Sequence, residues 1–119
     1  MTDHTEPARA TEPNDLARLL LERLAAGDLD GLVALYQPDA VLALPGGKVA
    51  TGHAEIRAAF EQLLASRSSF PPGEQRPALV IGDLALTSAR LASGAVTAEV
   101  ARRQPDGSWR WVLDQPDVR

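Results

Sequence analysis

The segment "AVTAEVARRQPDGSWRWVLD" (residues 95–114) decides the fold, because it holds the clearest strand pair in the chain. Strand-like runs flank Asp106-Gly107, a dipeptide that is among the strongest signals for a two-residue hairpin turn. A two-residue turn at this point places Glu99 directly opposite Asp114 on the neighbouring strand. The segment therefore predicts an antiparallel hairpin in which two carboxyl groups face each other.

These facing carboxyl groups have two interpretations. In the predicted register the bulky side chains of Trp109 and Trp111 lie on the opposite face, so hydrophobic patterning puts Glu99 and Asp114 in solvent. If their face instead lines a pocket, the less costly arrangement keeps one carboxyl protonated, with a raised pKa. A neutral acid beside an ionised carboxylate is a common acid/base arrangement in enzymes. A three-residue loop with a bulge would change the register and remove the basis for the pairing.

The rest of the chain supplies helices and further strands. Apolar residues recur at helical spacing near the beginning, as in Leu16, Leu20 and Leu24. Helices are predicted at 13–26, from residue 28 or 30 to Pro38, and at 53–66, and strands at 40–44, 77–81, 84–92, 95–104 and 109–114. Three helices before a four-stranded antiparallel meander predict an α+β fold with the helices packed on one face of a curved sheet.

Composition sets the domain organisation and excludes several kinds of partner. With 119 residues the chain fits a single domain, predicted at 13–119 behind a disordered polar tail at 1–12. The net charge of −4 argues against a nucleic-acid partner, which favours a basic face. The longest apolar runs fall short of the roughly 20 residues of a membrane span. The first 15 residues lack the apolar segment of a signal peptide, so a cytoplasmic location is predicted.

Metal and cofactor chemistry is not predicted either. The chain has no cysteine, and its two histidines, His4 and His53, are too few and too far apart for a histidine-ligated metal centre. The glycine motif of dinucleotide-binding proteins is also missing. The sequence therefore predicts a protein that works without a metal ion or cofactor.

Two segments resemble a known superfamily. The segments are "LLLERLAAGDLDGLVALYQPDAVLALPGGKVATGHAEIRAAFEQLL" (19–64) and "RRQPDGSWRWVLDQP" (102–116). They resemble nuclear-transport-factor-2-like proteins, and residues 102–116 are similar to the closing hairpin of the SnoaL-like branch, which has many bacterial members. The resemblance implies a cystatin-like cone, in which a curved antiparallel sheet and three helices surround a pocket. It also implies homodimers through the outer sheet face, which would make Trp109 and Trp111 interface residues and turn Glu99 and Asp114 into the pocket.

The catalytic positions of three related enzyme classes are only partly retained. The chain is similar to ketosteroid isomerases, but Leu44 stands where these have their base and Leu20 where they have a tyrosine, while Glu99 retains the partner acid. Glu99 and Asp114 match the two acids of limonene-epoxide hydrolases, whose intervening arginine is Thr97 here. The replacement arginine would have to be Arg90, Arg103 or Arg110. In the polyketide cyclases the general base near the end of the last strand matches Asp114.

These residues predict a cofactor-independent acid/base enzyme of the cyclase, isomerase or epoxide-hydrolase type, acting on a small hydrophobic organic molecule. Asp114 is the predicted general base and Glu99 the partner acid, assisted by Tyr36 or His53. Core packing for Tyr36 and an exposed first helical turn for His53 are the structural alternatives. A non-catalytic ligand-binding or accessory protein is the second hypothesis, and a dimeric interaction module with a filled cavity is the third.

Overall fold

Three helices pack on one face of a curved sheet in the computed structural model, which describes residues 8–67 and 69–118. The helices are α1 (Asp15–Ala26), α2 (Leu29–Val33) and α3 (Gly52–Ser66). The strands are β1 (Tyr36–Ala43), β2 (Val49–Thr51), β3 (Glu74–Gln75), β4 (Leu79–Ile81), β5 (Leu84–Arg90), β6 (Val96–Arg103) and β7 (Trp109–Gln115). The predicted α+β class with a curved sheet is confirmed.

The strand order within the sheet is β2-β1-β7-β6-β5-β3, and β4 also pairs with β5. All pairs are antiparallel except β1 with β7, which run parallel. The prediction of a purely antiparallel meander is therefore incomplete, because β1 joins the far side of β7. The backbone N–H of Trp111 donates to the carbonyl of Leu35 at 2.8 Å, and the chain is part of the sheet from Tyr36 onward. The predicted helix that included Tyr36 accordingly ends at Val33.

The last hairpin differs from its predicted form in two places. The N–H of Gln104 donates to the carbonyl of Ser108 at 2.7 Å, so the loop has three residues, and its last residue Gly107 has φ 87°. This loop shifts the predicted register by one residue and pairs Ala101 with Trp111. A bulge at Val112 then shifts the register back. Two opposite offsets thus restore the predicted pairing.

Glu99 does face Asp114, as predicted, with Val100 beside Leu113 as the next pair. The prediction that the tryptophans lie on the outer face is wrong. Because the bulge adds one residue, Trp109 and Trp111 share the inner face with Asp114, and they are only 3% and 2% exposed. The two tryptophans belong to the core of one copy and are not available as interface residues.

The core lies between the helices and the inner face of the sheet. The ring of Tyr36 is at its centre, with centroid distances of 5.4 Å to Trp111 and 6.0 Å to Phe60. The most deeply buried apolar side chains around it come from all three helices and from β1 and β6: Leu16, Leu19, Leu32, Ile56, Ala40 and Ala101. The mixture of leucine, alanine and a few aromatic rings leaves part of this interior open as a cavity.

The packed part of the chain begins nearer the N-terminus than predicted. Residues 1–7 of the predicted tail, including His4, lie outside the described residues. Ala10 is 2% exposed, and its carbonyl accepts a hydrogen bond of 2.9 Å from the N–H of Trp109. The buried guanidinium of Arg23 donates to the carbonyls of Ala8 and Gly31. Residues 8–12 therefore extend the domain, because they satisfy backbone and guanidinium groups that would otherwise be left unpaired.

No helix in the described part of the chain is long and apolar enough to cross a membrane.

Candidate active site

A cavity of about 1140 Å³ lies between the inner face of the sheet and helices α1 and α3. Its walls are mainly apolar, with Leu20, Leu21 and Leu24 from α1, Phe60 and Leu63 from α3, and Leu42 from β1 among them. Ligand sites usually have volumes of roughly 300–1,000 Å³, so this cavity has room for a molecule of several rings. Buried polar groups contributed by β1, β6 and β7 also line it: Tyr36, Thr97, Glu99 and Asp114.

Asp114 is the most perturbed carboxyl group of this set. It lies near the end of β7, two residues after the bulge at Val112, and is 9% exposed. Burial is the largest cause that raises the pKa of Asp114 from 3.8 to about 7; the charge of Glu99 acts in the same direction, and the hydrogen bond from Tyr36 acts against both. Near neutral pH this carboxyl group is therefore present in both its acid and its base form, which suits proton transfer in either direction.

Tyr36 is the hydrogen-bond partner of Asp114. Its hydroxyl donates to Asp114 Oδ2 with an O–O distance of 2.5 Å, and the residue is 1% exposed. Burial, together with the nearby charges of Asp114 and Glu99, raises the pKa of Tyr36 well above its ordinary value of 10. The hydroxyl thus stays protonated and acts as a fixed donor.

Glu99 faces Asp114 from the neighbouring strand and is 8% exposed. The hydroxyl of Thr87 donates to Glu99 Oε1 at 2.5 Å. Burial raises the pKa of Glu99, whereas hydrogen bonds from Thr87 and Thr97 act in the opposite direction. The two carboxyl groups are thus a desolvated pair, and the prediction of a solvated pair from patterning does not describe them.

No arginine of the described chain forms an ion pair with either acid. The guanidinium of Arg103 lies over the ring of Trp109, 5.0 Å from its centroid, and Arg90 points away from the cavity as an exposed residue. Thr97, at the position of the epoxide-hydrolase arginine, instead accepts a hydrogen bond of 3.0 Å from the N–H of Ala89. The acid–arginine–acid trio is therefore not rebuilt from these residues.

Thr87 is a site residue that the sequence reasoning missed. It is 2% exposed and is paired with Glu99 across β5 and β6. A two-residue turn at Ser93-Gly94 would place Ser88 in that position, but the loop has three residues and ends on Gly94 at φ 93°. A glycine at the third loop position is typical of three-residue hairpins, and this signal would have revealed the pair.

His53 is separated from the acid pair. Its Nε2 lies 2.8 Å from the backbone carbonyl of Tyr36, which can only accept, so this nitrogen carries the hydrogen. The imidazole does not line the cavity. The structure therefore brings together three of the four predicted residues, Asp114, Glu99 and Tyr36, and uses His53 to hold the backbone at the beginning of β1.

The described residues around this site do not form a set of metal ligands. Within residues 8–67 and 69–118 there is no group of three or more histidine, cysteine or acidic residues that could hold a metal ion. The chemistry that these residues can support by themselves is proton transfer and hydrogen bonding to a bound molecule.

Comparisons with known proteins agree with this architecture. The family model of the SnoaL-like domain matches residues 17–113. Among solved structures, an NTF2-like protein with a cystatin-like fold from Novosphingobium aromaticivorans is 27% identical, with a TM-score of 0.65 over 84% of this chain and 75% of that one. A ketosteroid isomerase-like protein from Erwinia carotovora atroseptica is 21% identical, with a TM-score of 0.69 over 85% and 88% of the two chains.

A third similar structure is a protein of unknown function with a cystatin-like fold from Nostoc punctiforme. It is 21% identical and has a TM-score of 0.68 over 86% of this chain and 84% of that one. A search of curated proteins found no match. At these identities the last two structures support the fold alone.

Proposed function

The chain belongs to the SnoaL-like domain family, and from this premise we propose that it is a cofactor-independent acid/base enzyme of the cyclase, isomerase or epoxide-hydrolase type. The observation that carries the proposal is the position of Asp114, a buried carboxyl group with a pKa of about 7 on the wall of an apolar cavity. Such a strong perturbation in a cleft is characteristic of functional sites. The apolar walls suit a small hydrophobic organic substrate.

In this proposal Asp114 removes or returns the substrate proton. Its ionised form is the general base, and the low polarity of the cavity makes that base stronger than an exposed aspartate. Tyr36 remains protonated and donates the hydrogen bond that orients the carboxylate. Glu99 is the partner carboxyl group, and its negative charge adds to the effect of burial in raising the pKa of Asp114.

Replacing Asp114 tests this proposal. Enolisable cyclic ketones and epoxides are screened with the wild type, and we expect Asp114→Asn to lower kcat by at least about 100-fold, because the general base is lost. Binding of the same compounds, measured by calorimetry, should change little, since asparagine preserves the volume. Glu61→Gln on the exposed face of α3 is the matched control, and it should leave kcat unchanged.

A non-catalytic ligand-binding protein is the second candidate. Leu44 at the position of the isomerase base and Thr97 at that of the hydrolase arginine favour it. For such a protein the wild type binds these compounds without converting them, and Asp114→Asn alters only the affinity. That outcome would contradict the enzyme proposal.

We also propose a homodimer, formed through a surface that excludes the tryptophans. Directly paired residues form an apolar row across the outer sheet face, here called the outer stripe: Leu79, Leu86, Val100, Leu113 and Val41, on β4, β5, β6, β7 and β1. Leu79, Leu86 and Leu113 are 67%, 44% and 50% exposed. A contiguous apolar row of this kind favours a partner over water, and the same row on a second copy is an apolar surface that can cover it.

A further inference from the structure

The hydroxyl group of Thr87 has a fixed orientation. The indole N–H of Trp111 lies 3.4 Å from Thr87 Oγ1, and an indole nitrogen can only donate. The oxygen of Thr87 is therefore the acceptor in that contact, and its single proton is directed to Glu99 Oε1 at 2.5 Å. All three residues are buried, so water does not compete for these positions.

Thr97 repeats this arrangement on the neighbouring strand. Its Oγ1 accepts from the backbone N–H of Ala89 at 3.0 Å, which leaves its proton for another acceptor. The hydroxyl of Thr97 lowers the pKa of Glu99, against the effect of burial. Glu99 thus receives the hydrogen bond of Thr87, a donor whose own acceptor site is already occupied by the indole N–H of Trp111. Donors held in this way stabilise the ionised form of a carboxyl group over the neutral form.

Asp114 has a different environment. The hydroxyl of Tyr36 donates to it, and the neighbouring charge of Glu99 opposes its ionisation. The charged groups that line the cavity from other elements are Arg18 and Glu22 of α1, Lys48 between β1 and β2, and Arg67 after α3. All four are exposed, so solvent screens their effect on the buried pair.

We propose that Thr87, oriented by the indole of Trp111, is a positioning residue that keeps Glu99 as the ionised member of the acid pair and leaves the transferable proton to Asp114. The geometry of the donors carries this assignment. The catalytic role of this proton rests on the proposed function. The location of the proton on Asp114 can be tested on the free protein, without a substrate.

The test is a carboxyl-resolved NMR titration of Glu99 and Asp114 in the wild type, Thr87→Val and Thr87→Ser. In the wild type we expect Glu99 to ionise at lower pH than Asp114. Thr87→Val removes the donor at nearly constant volume, so the midpoint of Glu99 should rise by about one pH unit or more while that of Asp114 falls. Thr87→Ser retains the hydroxyl and should restore the wild-type order.

The indole supplies a second, independent variant. Trp111→Phe removes the N–H that orients Thr87 and should raise the midpoint of Glu99 in the same direction by a smaller amount. The proposal is overturned if wild-type Asp114 ionises below Glu99, or if Thr87→Val and Thr87→Ser titrate alike. The wild-type titration alone decides which of Asp114 and Glu99 ionises first, so a variant that fails to fold does not prevent a result.

Activity then separates this inference from the proposed function. In an active enzyme, Thr87→Val should move the acidic limb of the kcat/KM profile to lower pH, because Asp114 becomes the easier group to ionise. If the wild type converts no substrate but the titration order and its dependence on Thr87 hold, the proposed function fails and the proton assignment stands.

Discussion

The three side chains of the candidate site depend on one another for their properties. The ring of Tyr36 packs between Phe60 and Trp111, and this contact places its hydroxyl against Asp114. Burial is the largest cause of the raised pKa of both Asp114 and Glu99. A carboxyl group that keeps its proton in the folded state stabilises the protein only while that proton is bound. The site should therefore impose a pH dependence on folding.

The direction of this pH dependence follows from the pKa of Asp114, which rises from 3.8 in the unfolded chain to about 7 in the folded one. Between these values the folded state binds more protons, so stability decreases as the pH rises. The two pH units from pH 5 to the folded pKa correspond to about 3 kcal/mol. We expect the free energy of unfolding of Asp114→Asn, relative to the wild type, to increase by about this amount from pH 5 to pH 8.

Urea unfolding of both proteins at the two pH values measures this difference. Glu61→Gln, whose side chain lies in solvent, is the control. Its free energy of unfolding relative to the wild type should be the same at both pH values. An Asp114→Asn difference that is also independent of pH would mean that the carboxyl group titrates like an exposed one.

At the scale of elements, the two hairpins decide which residues meet. Both have three-residue loops that end on a glycine with positive φ, Gly94 at 93° and Gly107 at 87°. The dipeptides could be recognised as turns, but a loop longer by one residue reverses the face of every residue beyond it. The bulge at Val112 then returns Asp114 to the inner face. Nothing in the local sequence marks this bulge, which adjusts β7 to its neighbours on both sides.

Gly107 offers a direct test of the loop. A Cβ atom placed there would meet nothing within 4 Å, so the cost of Gly107→Ala comes from the backbone alone. At positive φ that cost is about 1–2 kcal/mol, while Gly107→Asn should cost less, because asparagine tolerates this conformation better. Thermal and urea unfolding compare the two variants. Equal stability of Gly107→Ala and the wild type would mean that the loop does not require positive φ.

The whole molecule has two different apolar surfaces, an inner one around the cavity and the outer stripe on the opposite face of the same sheet. They are separated by strands with alternating side chains, so the buried Thr87 lies between the exposed Leu86 and the half-buried Ser88. In the functions proposed above, the ligand occupies the inner side of the sheet and a second copy covers the outer side.

The proposed dimer predicts the effect of a charge in the outer stripe. Leu86→Glu places a carboxylate from each copy in the apolar contact, and we expect the dimer dissociation constant to rise by at least about 30-fold. Sedimentation equilibrium measures it. Val49→Glu is the control, because Val49 is 55% exposed on the edge strand β2, outside the stripe. A wild type that is monomeric at high micromolar concentration would exclude the dimer.

The sequence by itself determined the fold class, the three helices and most strands, because these follow from local periodicity and from turn residues. The pairing of Glu99 with Asp114 was predicted from a two-residue turn, and it holds because the longer loop and the bulge offset each other. Only the tertiary structure decided which face of β7 is buried, since the three-residue loop and the bulge at Val112 each move the register by one residue. It likewise joined Tyr36 to Asp114, 78 residues apart in the chain, through the parallel pairing of β1 with β7. Such contacts depend on how distant strands align, which no short stretch of sequence encodes.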